Sequence, residues 1–174
     1  QVVHGIPGPR VIREGDLVSV DVGIIHQGYY SDTALTLGVG RIAPRLQELM
    51  DVTEAALMVG IRQARVGNHL SDISHAIQCY AEERGFSVVR DFVGQGIGRN
   101  LHEEPEIPNF GPPHQGPVLA AGMVFAIEPM VNMGSWQTKI LDDGWTVETV
   151  DAKPSAHFEH TIVVTEEGER ILTQ

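Results

Sequence analysis

Four acidic residues stand where a charge is hard to keep. Asp21 lies inside SVDVGII, Asp32 inside YYSDTALTL, Glu128 inside FAIEPMV and Glu159 inside HFEHTIVV, all apolar, strand-like runs. A carboxylate within a buried strand is unfavourable unless it is paired, hydrogen-bonded or coordinated. None of the four runs contains Lys or Arg, and the whole chain has two lysines, Lys139 and Lys153. If the four acids converge, their charges would balance two divalent cations. If each faces solvent or sits at a strand edge, no partner is needed. A second stretch, FVGQGIGRNLHEEP at 92–105, resembles part of a metal site. Gly94, Gly96 and Gly98 are expected to form a flexible turn, followed by His102 and Glu103-Glu104-Pro105. Imidazole binds transition metals well, yet the residue between the first two glycines is Gln95.

The elements that must position these groups can be read from pattern. DLVSVDVGIIH (16–26) and YYSDTALTLGV (29–39) are rich in Val, Ile, Thr and Tyr and flank Gln27-Gly28, which predicts a hairpin. With a two-residue turn, His26 faces Tyr29 and Gly23 faces Asp32. Asp21 and Asp32 then share a sheet face as diagonal neighbours, roughly 7–8 Å apart at the backbone. Inward-leaning side chains could grip a metal pair spaced about 3.5–4 Å. A one-residue bulge would flip one strand and undo this. A helix is expected from Pro44 to Arg65, stopped at Gly67, and a second from just after Ser71 to Gly85. Apolar runs at 86–90, 123–131 and 158–165 read as strands, and Pro-rich 106–117 as a loop. Strands mixed with two helices predict an α+β domain.

Composition narrows the function classes. A chain of 174 residues with 42% hydrophobic content predicts one domain, spanning 1–174. A formal charge of -11 disfavours nucleic acid and anionic membranes as partners. Cys79 stands alone, so no internal disulfide forms, which fits a reducing compartment. With no membrane-length apolar run and no secretory pattern, a cytoplasmic address is expected. The opening QVVHGIPGPR starts without methionine and with apolar residues under way, as if an N-terminal segment were missing.

Taken together, HGIP (4–7), DVG (21–23), SDTA (31–34), GQGIGRNLHEEP (94–105), FAIEPMV (125–131), DDGWTV (142–147) and EHTIVVT (159–165) resemble the type I methionine aminopeptidases, in order along the whole chain. The resemblance implies a pita-bread fold, an antiparallel sheet with flanking helices. It implies a monomer that removes the initiator methionine from nascent polypeptide N-termini, near the ribosome, with two divalent metal ions (Co, Mn, Fe, Zn or Ni). It maps the ligands onto Asp21, Asp32, Glu128 and Glu159, with Asp32 bridging. It assigns His4, His102 and the neighbouring Leu101 to the substrate and Trp145 to the wall of the site. Glu128 would act as general base, with His102 hydrogen-bonding the scissile carbonyl and His4 the scissile amide or leaving group.

Two departures from the family pattern bear on activity. The family's fifth ligand is histidine at the position of Gln95, whose amide oxygen is a weaker donor. The segment before HGIP helps build the methionine pocket in the family. His157 precedes Glu159 by two residues, so strand alternation puts both on one face, roughly 6.5–7 Å apart. Family members often carry glutamine where this chain has His157. The two residue types have then traded places, and His157 could supply the missing nitrogen directly or through water, or simply lie nearby. His26, His69, His75 and His114 are expected to be structural or solvated, and His160 to face away from Glu159. Two other readings remain: a proline-directed aminopeptidase of the same fold, and a catalytically impaired pita-bread domain that binds peptides.

Overall fold

The computed structural model describes residues 1–173. Strands β1 (Leu17–His26) and β2 (Tyr29–Gly38) form the expected hairpin. Gln27 and Gly28 have φ of 51° and 81°, the left-handed pair that a two-residue type I′ turn requires. Pairing is continuous from Leu17 to His26, with Gly23 opposite Asp32 and Asp21 opposite Ala34. No bulge disturbs the register on which the placement of the two aspartates depends.

Helix α1 (Pro44–Ile61) begins at the predicted proline but ends four residues before the expected Arg65. The amides of Gln63 and Ala64 reach carbonyls only three residues back, tightening the last turn. Helix α2 (Leu70–Glu82) starts earlier than expected. Asp72 closes back on the His69 amide at 2.8 Å, which makes His69 the cap. Ser71 is instead taken by the Gln115 amide at 2.7 Å. The two helices cross closely at Gly60, where a Cβ would lie 2.5 Å from Ile77 Cγ1. No helix among the described residues is long and apolar enough to cross a membrane.

The remaining strands are short: β3 (Ser87–Val88), β4 (Gly94–Gly96), β5 (Glu103–Ile107), β6 (Val124–Ile127), β7 (Met130–Asn132), β8 (Thr138–Ile140), β9 (Val147–Thr149), β10 (Ser155–His157), β11 (Glu159–Thr165) and β12 (Gly168–Ile171). The main sheet runs β1-β2-β11-β6-β4-β5, with β12 also on β11. A second sheet is ordered β10-β7-β3, and β8 pairs with β9. All of these pairings are antiparallel. The helices cover the sheets through a core that includes Leu49, Leu57, Ile73, Ile77, Phe125 and Ile162.

Three expectations need correction. The predicted strand at 123–131 is split into β6 and β7, because Glu128-Pro129 interrupts the ladder. Phe158 likewise separates β10 from β11, so His157 and Glu159 lie on two strands. Gly94 to Gly96 is not a flexible turn but the buried strand β4 between β6 and β5. Its glycines answer to close backbone approach. A Cβ on Gly94 would lie 2.4 Å from the Ala126 carbonyl oxygen, and one on Gly96 would lie 2.3 Å from that of Glu104.

The hairpin is less buried than its apolar sequence suggests. Val20, Val22, Ile24, Leu35 and Leu37 are all exposed on its outer face. Solvent-facing and buried positions should therefore respond differently to substitution. Gly96→Ala is expected to lower folding stability by about 1–3 kcal/mol, the usual cost of overpacking. Ile24→Thr is expected to stay within about 0.5 kcal/mol of the parent. Urea denaturation of the two variants checks both values.

Candidate metal centre

The register of the main sheet gathers the four acids. Asp21 faces Ala34, and Ala34 faces Glu159. His160 faces Ile127, so the ladder carried one step further sets Glu159 across from Glu128. The Phe158 amide, which reaches the Pro129 carbonyl at 3.4 Å, keeps the strands together there. One residue row thus runs Asp21, Ala34, Glu159, Glu128. The adjacent row on the same face carries Gly23, Asp32, Thr161, Ala126 and Gln95. Small residues alternate with the acids, and Ala34, Ala126 and Thr161 are buried. Bulky side chains there would fill the space above the carboxylates.

Backbone clamps hold the acids in place. The Thr161 hydroxyl accepts the Asp32 amide and donates to the Asp32 carbonyl, both at 2.8 Å. Thr33 donates to the Glu159 carbonyl at 2.9 Å. Asn109 Nδ2 donates to the Glu128 carbonyl at 3.1 Å. None of these three partners was singled out from the sequence. The threonines could have been noticed beside Asp32 and Glu159, whereas Asn109 is hidden in the Pro-rich loop and nothing local marks it.

The result is a concentration of negative charge. Asp21, Asp32 and Glu159 can each bring a carboxylate oxygen within 4.8 Å of the others. Among the described residues, no Lys or Arg forms an ion pair with any of the four acids; the partner of Glu128 is His157, at 3.4 Å. Burial, reinforced by Asp21 and Glu128, raises the Asp32 pKa from 3.8 to about 6. Burial and then the other three acids push Glu159 from 4.5 up to about 10. Asp21 departs from the sequence reading. It is exposed, because β1 is the edge of the sheet. Its carboxylate still reaches the cluster.

The donor set fits a divalent-cation centre. Glu159 Oε1 is buried with no hydrogen-bond partner, and neither ring nitrogen of the buried His157 makes a hydrogen bond, Nε2 having only its 3.4 Å contact with Glu128 Oε2. Hard carboxylate oxygens that repel one another are a natural cage for divalent ions. Gln95, also predicted as a weak donor, is buried on β4 next to Ala126.

The other candidate residues surround this cluster. The Val2 amide bonds to the Val147 carbonyl at 2.9 Å and the Val147 amide to the His4 carbonyl at 3.1 Å, fixing His4 against β9. The His4 ring stacks on Trp145 at 4.1 Å and meets Phe92 edge-on at 5.5 Å. Asp143 accepts the amides of Trp145 and Thr146, which sets the turn carrying the indole. Burial lowers the His4 pKa against the pull of Glu128 and Asp21, which favours the neutral ring. The Tyr30 amide bonds to the Gly98 carbonyl at 2.7 Å and ties the hairpin to the segment after β4. That tie brings Leu101 over Gly23, where a Cβ would meet Leu101 Cδ1 at 3.7 Å. His102 is exposed, yet close enough to His4 for its charge to act there. The remaining histidines lie apart from the acids: His69 and His75 bond to loop carbonyls, His114 pairs with Asp72, His160 bonds to Thr173, and His26 is exposed beside its turn.

Comparison with known proteins identifies the family and the fold. The model of metallopeptidase family M24 matches residues 1–166. A methionine aminopeptidase of Clostridium perfringens is 56% identical over 99% of this chain and 70% of its own. The crystal structure of the Rickettsia prowazekii methionine aminopeptidase superposes with a TM-score of 0.97 at 47% identity, covering 99% of this chain and 71% of that one. That of the Thermotoga maritima methionine aminopeptidase gives 0.93 at 52% identity, covering 95% and 66%. The fold is therefore the pita-bread fold that the sequence motifs suggested, and use of divalent metal follows from the family. The chain belongs to metallopeptidase family M24, among its methionine aminopeptidases.

Proposed function

We propose that residues 1–174 form one metallopeptidase catalytic domain that hydrolyses the peptide bond after an N-terminal methionine of nascent polypeptides. The observation that carries this reading is the row of Asp21, Glu159 and Glu128 beside Asp32, four acids on one sheet face that pair with no Lys or Arg among the described residues. Two divalent ions, which Asp21, Asp32, Glu128 and Glu159 would hold, would polarise the scissile carbonyl and acidify water. Which of Co, Mn, Fe, Zn or Ni is used depends on supply in the cell.

The chain's own residues have distinct tasks in this reading. Glu128, 9% exposed and at the inner end of the acid row, takes the proton from water and passes it to the leaving amine. His102 reaches toward the carbonyl oxygen as charge develops on it. Neutral His4, held flat against Trp145, donates to or accepts from the scissile amide. Leu101 and Trp145 offer apolar contact to the substrate, and the negative cluster attracts its α-ammonium group. A monomer acting in the cytoplasm beside the ribosome accords with the half-buried, unpaired Cys79.

Asp32→Asn is expected to abolish methionine release and reduce bound metal to one ion or none. Turnover within about threefold of the parent would refute the two-metal reading. Glu128→Gln is expected to lose activity yet keep its melting temperature, because it relieves charge repulsion. A peptide panel should show cleavage of Met-Ala ends and none of Xaa-Pro ends. Preference for Xaa-Pro would favour the proline-directed alternative, and binding without cleavage a peptide-binding module.

Stability of the metal-free chain should depend on pH with a definite sign. Asp32 and Glu159 both have folded pKa values above their ordinary ones of 3.8 and 4.5. Below those values the groups are protonated in both states and cost nothing. As pH rises, the unfolded chain releases its protons first, so stability falls through the window ending at about 6 for Asp32 and about 10 for Glu159. Metal-free protein is expected to melt at a lower temperature at pH 8 than at pH 6, and saturating Mn²⁺ should reverse that order. Calorimetric scans at both pH values, with and without metal, check it.

A further inference from the structure

Gln95 and His157 stand on opposite flanks of Glu128. Gln95 pairs with Ala126, two residues before Glu128, and His157 pairs with Met130, two residues after it. Both are therefore diagonal neighbours of the same carboxylate, one from β4 and one from β10. We infer that His157 is the nitrogen ligand of this metal centre, so that the imidazole enters from the β10 side and not from residue 95. The inference rests on the metallopeptidase reading above and adds the identity of a ligand to it.

Three observations on His157 support the assignment. Its side chain is only 2% exposed, and neither ring nitrogen has a hydrogen-bond partner. A buried imidazole with no hydrogen bond is unfavourable, and a cation bound between it and the Glu128 carboxylate would lower the cost. Nε2 lies 3.4 Å from Glu128 Oε2. With metal–ligand bonds of about 2.1 Å, two ligands of one ion are separated by about 3.0–3.4 Å, from octahedral to tetrahedral geometry. The observed separation falls at the end of that range. The backbone is fixed as well: the His157 amide donates to Thr36 Oγ1 at 2.9 Å, and Thr36 Oγ1 donates to the His157 carbonyl at 2.8 Å. Ser19 Oγ in turn lies 2.8 Å from the Thr36 hydroxyl. A side chain pinned through its own main chain is preorganised for ligation.

The other imidazoles near the cluster are less suited. His4 is committed to its stack on Trp145. His102 is exposed on the segment between β4 and β5. Gln95 can offer a transition metal only an amide oxygen, a harder and weaker donor.

The test is the spin-echo spectrum of Mn²⁺ bound to the intact chain, together with Mn²⁺ affinity from calorimetry. The parent chain should show imidazole ¹⁴N coupling to the metal. His157→Ala and the better-packed His157→Gln should both lose that coupling and bind Mn²⁺ about tenfold or more weakly, while Gln95→His alone should change affinity by less than about threefold. Retained coupling in both His157 variants would overturn the assignment, as would a parent spectrum with no ¹⁴N coupling. A sharp rise in affinity in Gln95→His alone would do the same. A parent chain that takes up no Mn²⁺ would instead refute the metallopeptidase reading itself. Because His157→Gln keeps a side chain of similar length in the site, a folding defect in the alanine variant does not decide the outcome.

Discussion

Mutual repulsion among carboxylates is the constraint around which the rest of the molecule is arranged. Glu159 is buried and Asp32 half-buried beside Asp21 and Glu128, and burial with mutual repulsion raises both pKa values. An ordinary fold would place arginine or lysine among such acids. Here the cations of the chain are at the surface, in pairs such as Arg45 with Glu48 and Lys139 with Glu148. Among the described residues no Lys or Arg pairs with the four acids. The apolar core beneath must hold the sheet against that repulsion.

The sheet meets this demand through register. Acids on β1, β2, β11 and at the end of β6 fall into two neighbouring rows only because each strand is antiparallel and in one particular alignment. Alanine, glycine and threonine fill the intervening places, and threonine hydroxyls cross-link the strands that carry the acids. A slip of one residue in any of these pairs would send its acid to the opposite face. Backbone precision therefore underlies the convergence of the acids, and the glycines of β4 let three strands approach closely.

The convergence of the acids was legible in the sequence because they were anomalous: charge inside Val- and Ile-rich runs has few structural explanations. The hairpin and its register followed from Gln27-Gly28, a local turn signal. What escaped detection depends on contacts distant in sequence. Thr161 meets Asp32 across 129 positions, and Asn109 supports Glu128 from an irregular loop. Glycine in β4 read as a turn because its purpose, room for a neighbouring backbone, is invisible from the strand alone. Asp21 read as buried because its flanking residues are apolar, yet Val20 and Val22 face outward on an edge strand. The start of α2 moved because Asp72 chose the His69 amide as its partner, a competition between two plausible caps.

Uptake of metal by the acid face is the central claim. Equilibrium dialysis of the purified chain against Mn²⁺ or Co²⁺ at neutral pH, followed by elemental analysis, counts the ions directly. Four converging carboxylates should hold about two divalent ions per chain, the number that balances their charge. A chain that retains none after dialysis, at metal concentrations well above the micromolar range, would contradict the account.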